Sequence, residues 1–366
     1  MDLFTIVGAR PQFVKASAIS KEIIDLNRTK EFFINENIIH TGQHYDHKMS
    51  DSFFHELQIP KPKFNLGIGG GSHGQNTGRM IESIEKLLLE HKPNAVLLYG
   101  DTDSTLAGAI SASKLNIPIL HIEAGLRSYN KSQPEEINRV ITDYLSLKCY
   151  APTDKAVQNL LKENIHKDKI YRCGDVMADA IRIFSKRIIN NDKFLSNLNL
   201  DKKEYALATI HRAENTNNKN ILSEIFKAFS KSPIPIVLPL HPRTRKLLEK
   251  YKLNDFLKGM IILDPLSFFD MMNLQINSQL IITDSGGIQK EAYIQSKPCI
   301  TIRTETEWIE TLRTGWNILA NPSNYQSILD AIETQMNLKK DLSHPDLYGN
   351  GFAAREIINN IISLKL

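Results

Sequence analysis

The chain of 366 residues lacks the features that define several protein classes. Its three cysteines, Cys149, Cys173 and Cys299, have neither metal-ligand spacing nor the density of a disulfide framework. Cys149 and Cys299 sit in apolar, strand-like runs and read as buried thiols of a reducing cytoplasm. No apolar run approaches the roughly 20 residues that span a bilayer. The opening Met1 to Ile6 reads as a strand, without the basic start and long apolar core of a signal peptide. Charge of one sign is lacking too. Forty-five Lys and Arg against 41 Asp and Glu leave a net charge of +4, and the cations are scattered, which argues against a nucleic-acid surface. No His-x-x-x-His helix is present, which argues against a metal site.

What is present is alternation. Short apolar runs alternate with amphipathic helical patterns in both halves, the pattern of βαβ units, and the length suits two domains of similar size. The most informative stretch is Gln279 to Glu291. An apolar strand, Leu280 to Ile282, runs into Asp284-Ser285-Gly286-Gly287 and then a helix beginning near Ile288. Two glycines at a helix start allow close backbone approach, and the free N–H groups and positive dipole end suit a phosphate. A tight connection capped by Ser285 is the bland alternative.

Open parallel sheets bind ligands at the carboxyl ends of their strands, and the suspicious residues fall there. Leu3 to Val7 leads to Gly8-Ala9-Arg10-Pro11 with Lys15, two cations beside a glycine turn that suit a diphosphate. Asn37 to His40 leads to Thr41-Gly42-Gln43-His44. The glycine-rich segment from Gly67 to Arg79 is expected to be a mobile loop before a helix from about Met80 to Glu90. Ala95 to Tyr99 ends at Gly100-Asp101, Pro118 to Ile122 ends at Glu123 with Arg127 beyond, and Pro134 opens a helix with Glu135 and Glu136. Acids in a first helical turn are favoured by the dipole alone, but Asp101, Glu123 and Glu135 on one edge form a candidate acid/base set with at least one raised pKa. Leu147 to Ala151 is expected to close this sheet.

In the second half, strands ending at His211-Arg212 and at His241-Pro242-Arg243 place two histidine and arginine pairs at equivalent edges, an arrangement that favours an anion site. Cys299 to Ile302 leads to Arg303 and on to Glu307-Trp308. The expected architecture is α/β, two Rossmann-like doubly wound domains facing across a cleft. The expected bounds are 1–172, with a C-terminal helix 352–366 packing back on that domain, and 173–351.

These motifs, in this order, resemble the non-hydrolysing bacterial UDP-N-acetylglucosamine 2-epimerases: Gly8-Ala9-Arg10-Pro11 with Lys15, Gly100-Asp101-Thr102, His121 to Arg127, Pro134-Glu135-Glu136 with Asn138-Arg139, His211-Arg212, and Thr283 to Gln289 with Glu291. The resemblance covers essentially the whole chain. It implies a glycosyltransferase-B-like fold, a homodimer, no cofactor, and conversion of UDP-GlcNAc to UDP-ManNAc for surface-polysaccharide synthesis, by loss of UDP to a 2-acetamidoglucal and re-addition. It implies catalytic roles for Asp101, Glu123, Glu135 and His211. Substrate contacts are implied for Arg10, Lys15, Gln43, His44, Arg139, Arg212, His241, Arg243, Ser285, Gly286, Gly287, Glu291, Arg303 and Glu307.

Departures from the family pattern are Ala9 and Gln12 in a usual Thr-Arg-Pro-Glu opening, Lys290 where an acid is frequent, and Trp308 where Arg is common. With the Ser72-His73-Gly74 loop, Trp308 resembles the subgroup acting on UDP-2,3-diacetamido-2,3-dideoxy-glucuronic acid, whose 6-carboxylate would need a cation such as Arg79, Lys131 or Arg303. That substrate is the alternative reading. A retaining glycosyltransferase of the same fold explains the glycine turn and Glu291 but not three acids on the first edge.

Overall fold

A computed structural model describes residues 1–42, 51–188, 193–338 and 341–366. The chain forms two compact units, Met1–Ala180 with Tyr348–Leu366, and Ile181–Leu347. The first is built on strands β1 (Asp2–Val7), β2 (Asn35–His40), β3 (Phe64–Asn65), β4 (Ala95–Tyr99), β5 (Ile119–Ile122), β6 (Lys148–Ala151) and β7 (Ile170–Arg172). They lie in the order β3-β2-β1-β4-β5-β6-β7, and every pairing is parallel. A sheet covered by helices on both faces needs strands that are apolar throughout, and β4, Ala-Val-Leu-Leu-Tyr, is buried at every position. Phe4, Ile6, Ile84, Leu88, Val96 and Leu98 form the core of one layer.

The second unit contains β8 (Ala206–Thr209), β9 (Ile236–Pro239), β10 (Ile261–Leu263), β11 (Leu280–Thr283), β12 (Cys299–Ile302) and β13 (Asn317–Ala320). Their order, β10-β9-β8-β11-β12-β13, repeats the topology of the first sheet, again all parallel. In each sheet the winding reverses between two neighbouring strands, β1 and β4 in the first and β8 and β11 in the second. A crevice opens at the carboxyl ends of such a pair.

Three expectations change. The helix expected from Met80 begins at His73, because the Ser72 hydroxyl accepts from the Gln75 N–H and the Gln75 side chain accepts from the Ser72 N–H. This capping box turns half of the glycine-rich segment into helix. The first sheet is closed by β7 and not by the strand ending at Ala151; β7 has only three residues, none of them buried, so it carries little apolar signal. The helix expected at Ile288 starts at Gly286.

The C-terminal helix Ala353–Ser363 belongs to the first unit. It buries Ile357, Ile358 and Ile361, and the Asp179 carboxylate caps its start by accepting from the N–H groups of Ala353 at 3.1 Å and Ala354 at 2.6 Å. Cys149 and Cys299 are buried free thiols. Among the described residues no helix is long and apolar enough to cross a membrane.

Candidate active site

In the first unit the site grows from the ends of β1, β4 and β5. The Gln12 amide ties the first two together: its Oε1 accepts from the N–H groups of Gly8 (2.8 Å) and Ala9 (3.0 Å), and its Nε2 donates to the Tyr99 carbonyl (2.7 Å). A carboxylate could accept those two bonds but could not donate the third. Arg10 opens the following helix, Arg10–Thr29. One turn on, Lys15 forms an ion pair with Glu123, both nearly buried. Glu123 holds a left-handed backbone, φ 70°, and so does Gly100, φ 64°. A Cβ at Gly100 would lie 3.1 Å from the Glu123 carboxylate and 3.7 Å from Lys15 Nζ, so glycine leaves the room in which the pair meets.

Asp101 follows directly. Arg139 donates to its carboxylate at 2.5 Å and to Glu136 at 2.8 Å, and the Asn138 amide donates to the Asp101 carbonyl at 2.9 Å. Burial raises the Asp101 pKa above its ordinary value of 3.8; Arg139 opposes this, Glu123 adds to it, Lys15 opposes and Glu135 adds. The three expected carboxylates thus share one electrostatic neighbourhood. Glu135 is exposed, whereas Glu136 is buried and serves the loop before it, accepting from the N–H groups of Ser128 and Tyr129. Arg127 is drawn away from the site into ion pairs with Asp143 and Glu163. Arg79 and Lys131 are exposed.

The second unit organises its edge around Asp284, a fully buried carboxylate at the end of β11. It accepts from the backbone N–H groups of His211 (3.2 Å) and Arg212 (3.0 Å) and from the Asn215 amide (3.0 Å), which also donates to the Ile302 carbonyl. One side chain and its amide partner thereby fix the ends of β8, β11 and β12. The helix Gly286–Ile294 then starts with its first-turn N–H groups directed at that edge and no side-chain cap from Ser285. A Cβ at Gly286 would run into the Glu307 carboxylate. Glu307 accepts from Arg303 at 2.7 Å and lies 3.9 Å from Arg212; burial opposes ionisation, yet its own N–H and these cations hold its pKa below the ordinary range. Glu291 is oriented by the buried Gln275, whose amide donates to it at 2.8 Å. Buried Lys290 packs over the Trp308 ring, 5.1 Å from its centroid.

His211 and His241 come within 6.4 Å ring to ring. Burial, then His211 and Arg243, hold the His241 pKa below its usual value. Arg243 itself turns to Asn217 (2.8 Å). Gln43 and His44 lie outside the described residues. Asp284, Gln275, Gln12 and Asn215 escaped the reading of the sequence as organisers of the site. Only the position of Asp284, at the end of a buried strand, hinted at one of them.

One edge gathers carboxylates with paired cations, and an equivalent edge presents a glycine-led helix N-terminus flanked by His and Arg. On a duplicated Rossmann topology this defines a nucleotide-sugar enzyme of the glycosyltransferase-B type. A family model described as UDP-N-acetylglucosamine 2-epimerase matches residues 25–362, and the chain belongs to that family. It is 50% identical over 339 residues to a UDP-N-acetylglucosamine 2-epimerase homolog of Methanococcus maripaludis, covering 91% of this chain and 92% of the relative. It is 44% identical over 369 residues, 100% of both chains, to the UDP-2,3-diacetamido-2,3-dideoxy-D-glucuronate 2-epimerase of Pseudomonas aeruginosa. The crystal structure of Methanocaldococcus jannaschii UDP-GlcNAc 2-epimerase, in complex with UDP-GlcNAc and UDP, matches with a TM-score of 0.87 at 41% identity over 99% of this chain and 100% of that one.

Proposed function

We propose that this protein inverts C2 of a UDP-2-acetamido sugar, converting UDP-GlcNAc to UDP-ManNAc without a cofactor. The observation that carries this reading is the cluster of Asp101, Glu123, Lys15 and Arg139 at one sheet edge, with the Asp101 pKa raised. The hydrogen on C2 is not acidic enough for simple removal, so the reaction runs through elimination. A carboxylate takes that hydrogen as a proton, its C–H electrons form the C1=C2 double bond, and the C1–O bond breaks with its electrons leaving on UDP. A second carboxyl group then returns a proton to C2 on the opposite face, and the UDP oxygen rebonds to C1. An acid whose pKa is raised by burial suits this exchange of protons.

Asp101, Glu123 and Glu135 are the acid/base groups in this proposal, and His211 stands beside the departing diphosphate with Arg212. The N–H groups of Gly286 and Gly287 hold the phosphates, Ser285 and Arg10 add donors, and Glu291 accepts from the ribose hydroxyls. Lys15 and Arg139 position Glu123 and Asp101. Arg303 and Glu307 shape the mouth of the helix start, with His241 and Arg243 at its margin. A second reading, the same chemistry on UDP-2,3-diacetamido-2,3-dideoxy-glucuronic acid, draws support from the full-length 44% identity to the Pseudomonas aeruginosa enzyme.

Purified protein incubated with each UDP-sugar in deuterated water should place deuterium at C2 of its true substrate. Exchange with neither would overturn the reading, and exchange with only the uronate would decide for the second. We also propose a cytoplasmic homodimer. Ile137, Val140 and Tyr144 form an exposed apolar row on the helix Pro134–Leu145, a face that suits a second copy.

A further inference from the structure

Behind the acid/base edge lies a buried pair that the proposed chemistry does not use. His121 and Asp143 are both fully buried. His121 Nδ1 lies 2.7 Å from Asp143 Oδ1, and its Nε2 lies 2.8 Å from the Gly100 carbonyl oxygen. The second Asp143 oxygen accepts from the Gly125 N–H at 3.0 Å and pairs with Arg127 at 2.7 Å, and Arg127 in turn binds Glu163. The neighbouring Cys149 thiol donates to the Asp143 carbonyl at 3.4 Å.

The donor count on the imidazole is decisive. A carbonyl oxygen only accepts, so Nε2 must carry a proton to bond Gly100. Asp143, whose other oxygen accepts from a guanidinium and a backbone N–H, is an acceptor too, so Nδ1 donates as well. We infer that His121 donates from both ring nitrogens, and that with Asp143 it acts as a positioning pair clamping the turns which present Asp101 and Glu123.

The clamp grips left-handed backbone around the site. Gly100 (φ 64°), Glu123 (φ 70°) and Gly125 (φ 81°) are all left-handed, and the pair holds the first by its carbonyl and the last by its N–H. Glu123, an L-residue in a conformation L-residues disfavour, is bracketed by His121 two residues before it and by Gly125 two residues after. Arg127, the last cation of the same motif, therefore serves the site indirectly, by holding the Asp143 carboxyl in place. This inference rests on the proposed epimerase reading only for its effect on turnover.

Two measurements test it. In protein with nitrogen-15 histidine, the His121 ring, identified by slow exchange of its protons with solvent and by its loss in H121Q, should show two nitrogens each coupled to a proton. A ring with a single N–H would overturn the inference whatever the enzyme's substrate proves to be. In kinetics, H121Q should lower kcat by about 100-fold, the scale of a small misplacement of reacting groups, while KM and UDP affinity stay near those of the parent. D143N should lower kcat similarly and convert the ring to one N–H. Parent-like kcat in folded H121Q would assign the pair to stability alone and reject the positioning role. Should H121Q fail to fold, the nitrogen spectrum of the parent protein and of D143N still decides how many ring nitrogens donate.

Discussion

Gly100 and Asp101 concentrate the opposing demands on this site. At Gly100 the left-handed backbone and the 3.1 Å gap to the Glu123 carboxylate leave no comfortable place for a methyl group. Gly100→Ala should therefore cost about 1 kcal/mol in stability from backbone strain. It should also lower kcat by about 100-fold as the Lys15–Glu123 pair is displaced. Steady-state kinetics beside a thermal melt checks both, and an alanine variant with parent turnover would remove the pair from the proposal. Asp101 behaves in the opposite sense. Its pKa in the folded chain is raised, so the folded state binds its proton more tightly than the unfolded state does. That contribution favours folding below the ordinary pKa of 3.8 and is lost as the pH rises through the folded value. Above the folded value the ionised, partly desolvated carboxylate is a cost. Asp101→Asn should accordingly gain in melting temperature on the parent as the pH rises through that value, even as turnover collapses. A melting difference that does not grow with pH would mean that the Arg139 ion pair outweighs burial.

At the scale of elements, strands and their ligand edges were legible because a strand buried on both faces must be continuously apolar and must end where polar residues begin. β4 is of this kind and β5 is so but for His121, and so Asp101 and Glu123 could be placed from the sequence. β7 and β13 were not legible. Ile170–Arg172 has no buried residue and Asn317–Ala320 opens with a polar one, so only pairing with a neighbour makes either a strand. Glycine content misled at 67–79, where the local signal was the Ser72 and Gln75 capping box. Ser72→Ala should remove one cap bond and cost about 1 kcal/mol, read by denaturant unfolding. A change near zero would mean that the helix start is held instead by His73, which meets Asp103 at 2.7 Å, and by Asn76, whose amide donates to the Gly71 carbonyl. The organising hydrogen bonds of Gln12, Asn215, Gln275 and Asp284 were invisible for another reason. Each joins segments distant in sequence, and a polar residue gives no sign of its partner before the chain has folded.

Across the whole molecule the same winding occurs twice, but the two ligand edges are chemically unlike. The first carries carboxylates balanced by Lys15 and Arg139; the second offers free helix N–H groups, Arg212 and a ribose-type acceptor in Glu291. In the proposed function these are the reacting half and the nucleotide half, and that division predicts how ligands stabilise the protein. UDP alone contains every group the second edge would recognise: phosphate oxygens for the first-turn N–H groups of Gly286–Ile294, and ribose hydroxyls for a carboxylate that Gln275 already orients. Saturating UDP should therefore slow amide hydrogen exchange over Gly286 to Glu291, while Gly100 to Gly125 gains comparable protection only with the complete UDP-sugar. Glu291→Ala should weaken UDP by about tenfold, the loss expected for roughly one charge-assisted hydrogen bond, and leave the exchange of Gly100 to Gly125 in the free protein unchanged. Equal protection of both stretches by UDP alone would show that the nucleotide engages the carboxylate edge as well, and the separation into a gripping half and a reacting half would fall.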